Sequence, residues 1–222
     1  MTGPILQARN LYRFFHAGED EALALQGVSL DVREGEVVAV TGPSGSGKST
    51  LLACLAGLEE PDGGTVVVAG ERLSRRSEEQ RARIRARRLG MLYQHTNLIE
   101  HLSVRENTAL AQRLAGGAAA PGWGEEVLDR CGIGRRAHAR PSQLSGGELA
   151  RAGLAVALAN DPPVLLADEP TGELDDVTAE RVLALLAERA ASGGAVLVVT
   201  HSAQVAAAAS REIRMRDGRL AA

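Results

Sequence analysis

Lys48 is the only lysine in a chain whose Lys and Arg total 25, and it sits inside GPSGSGKST, Gly42 to Thr50. Arginine serves everywhere else, so this position needs something arginine does not offer. An ammonium is a compact charge on a thin stem, whereas a guanidinium is a broad planar fork. The spacing G-x-x-x-x-G-K-[ST] over Gly42–Ser49 says what the charge is for. Gly42, Gly45 and Gly47, with Pro43, Ser44 and Ser46 between them, let consecutive backbone N–H groups converge on phosphate oxygens. A helix opening at Lys48 adds favourable N-terminal dipole charge. Lys48 would reach the β- and γ-phosphates, Ser49 would offer its hydroxyl to Mg²⁺, and Thr50 follows on the same helix turn.

VLLADEP, ending at Pro170, places four apolar residues before Asp168 and Glu169. A buried strand that delivers two adjacent carboxylates to its end is costly unless they are used. Asp168 would hold Mg²⁺, directly or through water, and Glu169 would polarise an attacking water as general base. QLSGGELAR, Gln143 to Arg151, repeats the logic of the glycine loop. Ser145, Gly146 and Gly147 precede a helix and present a hydroxyl and N–H groups to an anion.

These groups need strands that end at them and helices that begin there. GEVVAVTG, Gly35 to Gly42, reads as a buried strand, and KSTLLACLAGL, Lys48 to Leu58, has helical composition. PDGGTVVVAG is a turn and a further strand, and Ser77 to Arg88 is a charged, exposed helix. From about His95 to Ser142 the chain turns helical, with VRENTALAQRLAG broken by GGAAAPGWG, Gly116 to Gly124. Strand–helix alternation resumes with PVLLADEP, a helix from Thr178 to Ala191, and the strand AVLVVTH ending at His201. That pattern implies a mainly parallel sheet with ligands at the carboxyl ends of its strands.

With these motifs in this order, the chain resembles the ATP-binding cassette (ABC) ATPases over essentially its whole length. Leu144-Ser145-Gly146-Gly147-Glu148 is similar to that family's signature motif, which caps the γ-phosphate held by a second subunit's glycine loop. The resemblance implies an α/β fold: a P-loop NTPase cassette with a mainly parallel core sheet, an antiparallel β subdomain and an inserted helical subdomain. It implies one domain over 1–222, with the core at about 1–94 and 155–222 and the helical part at about 95–154. Gln94 matches the family's glutamine that senses Mg²⁺ and the attacking water and touches the membrane partner. Gly172 to Asp175 resembles the loop that crosses the dimer interface. His201 matches the histidine that contacts the γ-phosphate. Register with the family makes Phe15 the aromatic that stacks on adenine, with Tyr12 and Phe14 as rivals. The chain departs from the commoner family pattern at Glu148, Val156, Glu173 and Ser202.

The implied activity is ATP hydrolysis with Mg²⁺, driven by two cassettes closing head to tail, most simply as a homodimer. Short length, YQHTNLIEHLSVRENTAL and LLADEPTGELD look like the lipoprotein-release, macrolide-efflux and cell-division subgroup. The expected partner is a permease with few spans and a large extracytoplasmic domain. A net charge of −3 points to no nucleic-acid partner. No apolar run approaches the roughly 18 residues a span needs, so the expectation is a cytoplasmic chain peripheral on the inner face of the membrane. Cys54 and Cys131 have no ligand-spaced neighbours and read as reduced thiols. The competing reading is a soluble ABC ATPase acting on nucleic acid or ribosomes, supported by Arg81, Arg83, Arg85, Arg87 and Arg88. Spacing by two spreads those charges around a helix rather than along one face. A simple nucleotide-binding module or kinase leaves the signature motif unexplained.

Overall fold

A computed structural model describes residues 3–17, 20–94, 97–117, 119–172 and 174–221, with backbone alone at 16, 17 and 20–22. In chain order it forms β1 (Leu6–Ala17), β2 (Asp20–Val32), β3 (Val37–Thr41), α1 (Lys48–Leu55), β4 (Gly63–Val68), β5 (Glu71–Arg72), α2 (Glu78–Arg88) and β6 (Leu89–Leu92). There follow α3 (Val104–Leu114), α4 (Trp123–Arg130), α5 (Gly146–Leu158), β7 (Val164–Asp168), α6 (Asp176–Ala191), β8 (Ala195–Val199), α7 (Ala203–Ala208), β9 (Arg211–Arg216) and β10 (Arg219–Leu220).

The strands make two sheets. One is antiparallel, in the order β2-β1-β4-β5; the other runs β10-β9-β3-β8-β7-β6 and is parallel except at the β9–β10 edge. Successive side chains of a strand point to opposite faces, and both faces of the central strands are covered. Val164 and Leu166 of β7 therefore join Ala195, Leu197 and Val199 of β8 in one core, beneath α1 and the antiparallel sheet. Leu165, Ala167, Val196 and Val198 enter a second core with α4, α5 and α6. This explains why VLLAD and AVLVV are uninterrupted apolar runs rather than alternating ones. Each fully buried Leu or Val contributes about 1.5–3 kcal/mol.

Helix bounds differ from the sequence expectation where a local stop or cap intervenes. Helix α1 ends at Leu55 rather than Leu58, because Gly57 turns left-handed at φ +64°. Helix α6 starts two residues early, at Asp176, because the Asp175 side chain accepts the Thr178 N–H. The glycine-rich break after α3 closes at Gly122, so Trp123 and Gly124 are helical. Helix α5 runs unbroken from Gly146 to Leu158, across the expected limit of the helical part at 154. It also touches the sheet directly: a Cβ on Gly90 of β6 would lie 2.3 Å from the Ala157 carbonyl oxygen.

Four of the five arginines of α2 are spent on carboxylates. Arg81 pairs with Glu60 and Glu78, Arg83 with Glu79, Arg85 with Glu78, and Arg88 with Glu71. Such surface pairs stabilise little, but they offset four of the five arginines on which a nucleic-acid reading depended. Among the described residues, no helix is long and apolar enough to cross a membrane.

Candidate functional site

Strands β3, β8, β7 and β6 are neighbours in that order and point the same way. Their carboxyl ends deliver, in turn, the Gly42–Gly47 loop, Thr200 with His201, Asp168 with Glu169, and Tyr93 with Gln94. Local strand sequences that end in polar residues thus assemble one cleft at the edge where such sheets bind ligands.

That cleft, of about 460 Å³, is lined by Phe15, Gly42, Ser44, Gly45, Gly47, Lys48, Ser49, Thr50, Gln94, Asp168, Glu169 and His201. Pro43 and Ser46 do not line it: Pro43 offers its carbonyl to Lys48, and Ser46 is turned inward with 2% exposure. Lys48 Nζ lies 2.8 Å from the Gly42 carbonyl and 2.9 Å from that of Pro43, folded back over its own loop.

The loop fits a polyphosphate. Gly42 and Gly47 are left-handed, at φ +151° and +97°; a Cβ on either would lie 2.1 Å from the Met215 oxygen or 2.4 Å from that of Ala24. Only glycine closes the cradle against these two backbone walls. Helices α2, α3, α5, α6 and α7 each start with a Ser or Asp side chain on their N–H groups, whereas α1 starts at Gly47 with no side-chain cap. The first N–H groups of a helix have no internal partners, so those of Lys48, Ser49 and Thr50 face the cleft as an anion site. Helix α4 also starts at a glycine, but none of its residues lines this cleft.

Asp168 is half-buried, and desolvation holds its carboxyl above the usual range, with the Glu169 charge adding and Lys48 opposing. A cation relieves that cost. Ser49, Gln94 and Asp168 all line the same cleft, so the donor set suits a hard, oxygen-seeking ion such as Mg²⁺.

Glu169 is held more tightly than sequence suggests. It adopts φ +46°, a left-handed conformation uncommon outside glycine. Its Oε1 accepts the His201 backbone N–H at 2.8 Å and lies 2.7 Å from His201 Nδ1. Its Oε2 accepts the Thr200 hydroxyl at 2.9 Å, and that hydroxyl accepts the Ser202 N–H at 3.0 Å. Thr200 is fully buried and was missed by sequence reasoning. Its hydroxyl, one residue before His201 at the end of an apolar strand, was the available signal. Ser202 caps α7 through Val205.

The remaining predicted residues are elsewhere. Ser145 accepts the Glu148 N–H and Glu148 returns the bond to the Ser145 N–H, a capping box at the start of α5. That return bond, before any neighbouring charge, keeps the Glu148 carboxyl low, and Arg136 stands 3.3 Å away. Gly146 borders a second cleft of about 610 Å³, between α5, Tyr93–Gln94 and the segment after β7. Gln94 and Glu169 line both clefts. Asp175 accepts the Thr178 N–H and hydroxyl and lines neither. Glu173 lies outside the described residues. Cys54 and Cys131 are buried, and burial pushes both thiols up to about 12.

Residues 25–172 match the family model described as ABC transporter. The chain is 42% identical over 221 residues to a lipoprotein-releasing system ATP-binding protein LolD from Novosphingobium aromaticivorans, covering 98% of this chain and 99% of that one. It is 43% identical over 222 residues to a macrolide export ATP-binding/permease protein MacB from Burkholderia pseudomallei. There the match covers 99% of this chain but only 34% of MacB, so the chain spans about a third of that relative's length. A solved dimeric ATP-binding cassette in a post-hydrolysis state, bound to ADP and Pi, superposes with a TM-score of 0.90 at 35% identity, covering 98% of this chain and 97% of that one.

Proposed function

The chain belongs to the ABC transporter family of ATP-binding cassettes, and we propose that it is the subunit that binds and hydrolyses ATP to power a membrane permease. One observation carries this reading. The Gly42–Gly47 loop, Lys48, Asp168, Glu169 and His201 converge on a single cleft, while the Ser145–Glu148 turn lies outside it with Ser145 and Gly146 exposed. Each nucleotide is then completed by a partner cassette, and closure on ATP is the power stroke.

The chain's own groups do the following. The Gly42–Gly47 loop and the start of α1 bind the phosphates, and Lys48 swings from the Gly42 and Pro43 carbonyls onto the β- and γ-phosphates. Phe15 stacks on the base. Ser49, Asp168 and Gln94 would hold Mg²⁺, which when bound would neutralise phosphate charge. Glu169 orients the attacking water and takes its proton, Thr200 fixes the carboxylate, and His201 turns to the γ-phosphate. Gln94 and Glu169 border both clefts, so the cleft beside α5 is where a permease element senses the nucleotide. The helical part, about 95–154, forms that side. The partner in this reading is a permease of few spans with a large extracytoplasmic domain, met at the inner membrane face; the likeness to an ATP-binding/permease protein supports the permease partner.

Steady-state ATP turnover of Ser145→Arg tests the proposal. Ser145 is outside this chain's own cleft, so with the thermal midpoint retained within the cost of a lost helix cap, loss of turnover is expected if a partner supplies it in trans. Unchanged turnover would make the chain a simple nucleotide-binding module. Capture with Glu169→Gln and ATP from solubilised membranes should recover an integral membrane permease; recovery of ribosomes or nucleic acid alone would overturn the transporter reading.

A further inference from the structure

Strand β1 changes partners within its aromatic cluster. Its pairing with β4 ends at Tyr12 opposite Gly63, and its register against β2 slips between Arg13 and Phe14. Asp62 takes over where β4 stops. Its N–H donates to the Tyr12 carbonyl at 2.9 Å, and its Oδ2 accepts the Phe14 N–H at 2.8 Å. The residue left over at that slip is Ala24 of β2, so alternation along β1 runs on and puts Arg13 and Phe15 on one face, Tyr12 and Phe14 on the other. Phe15 consequently lines the nucleotide cleft, while Tyr12 lies against Gly27 and Gly63.

Arg13 connects this irregularity to the ring. Its guanidinium carbon stands 4.8 Å from the Phe15 ring centroid. One terminal nitrogen is 3.2 Å from Asp62 Oδ2 and the other 2.7 Å from Glu59 Oε2. Two carboxylates therefore fix the cation, whose side chain keeps only 21% exposure. The Phe14 N–H, and then Arg13 against some desolvation, hold the Asp62 carboxyl below its usual range, so the clamp stays ionised at neutral pH. None of these three charged groups lines the phosphate end of the cleft.

We infer that Arg13, anchored by Asp62 and Glu59, is the positioning residue of the Phe15 platform and thereby sets the affinity for the nucleotide base. It fixes the orientation of the ring. By drawing electron density from one face, it also favours an electron-rich purine on the other. The inference rests on the reading of Phe15 as the base-stacking residue and adds the device that aims it.

Calorimetric titration with Mg²⁺-ATP and with Mg²⁺ and inorganic triphosphate separates base from phosphate recognition. Phe15→Ala and Arg13→Ala should each weaken ATP by about five- to tenfold and leave inorganic triphosphate unchanged. Arg13→Gln, which keeps the stem and loses the charge, should show the same split. Intact triphosphate binding also certifies that the loop is folded. If Phe15→Ala weakens ATP but Arg13→Ala and Arg13→Gln do not, the positioning role is wrong and the platform stands. If Phe15→Ala leaves ATP unchanged, the platform fails and the inference fails with it. Equal weakening of both ligands by the Arg13 variants would mean a general effect on the fold and overturn the inference.

Discussion

Glu169 combines three features that rarely meet in one residue: a left-handed backbone, a carboxylate with both oxygens engaged, and a place where two clefts meet. Strain of this kind persists only where the surroundings enforce it, and here β8 enforces it through Thr200 and His201. Glu169→Gln should keep ATP binding and lose roughly 10²-fold or more in hydrolysis, as for removal of one charge-stabilising group. Thr200→Val removes a hydrogen bond to a charged group, so kcat should fall about tenfold with nucleotide affinity retained. Asp168 behaves differently. Burial, before the Glu169 charge, raises its carboxyl above the usual range. The folded chain therefore holds that proton more tightly than the unfolded chain, a contribution complete below the ordinary aspartate range and lost as pH rises through the folded value. At neutral pH the ionised group is a cost. Asp168→Asn should then raise the thermal midpoint of the nucleotide-free protein, while abolishing Mg²⁺-dependent nucleotide binding. A midpoint that fell would show the charge to be stabilising.

At the scale of elements, helix starts divide the labour. Helices α3 and α5 carry the same capping box, Ser103 with Glu106 and Ser145 with Glu148. Ser103→Ala and Ser145→Ala should each cost about 1 kcal/mol in thermal unfolding, but only Ser145→Ala should also slow ATP turnover. Equal turnover for the two would reduce Ser145 to a cap. Legibility in the sequence followed locality. The glycine loop, the strands ending at Asp168 and His201, and the helices after Ser77 and Ser103 were readable, because their apolar period, caps and glycines lie within a few residues. Not readable was whatever depends on partners distant in the chain. The Ala24 and Met215 carbonyls that make Gly47 and Gly42 obligatory stand on β2 and β9. The ion pairs that engage four of the α2 arginines come from Glu60 and Glu71 as well as from the helix itself. Alternation along β1 sets Phe15 on the face opposite Tyr12 and Phe14, but the Asp62 and Glu59 carboxylates that hold Arg13 beside its ring come from far along the chain.

On the scale of the molecule, two cores share β7 and β8, one beneath α1 and the antiparallel sheet, the other beneath α4, α5 and α6. The glycine loop rests on the first and the Ser145 turn on the second, so under the proposed function each chain would hold two unlike halves of a nucleotide site. Two such chains arranged head to tail would complete both sites at once, which makes ATP the bond between them and hydrolysis its release. Sedimentation velocity of Glu169→Gln in Mg²⁺ tests this most directly. The account predicts a dimer with ATP, a monomer with ADP, and a monomer again with ATP once Ser145→Arg is added. A Glu169→Gln protein that stays monomeric at saturating ATP would contradict it.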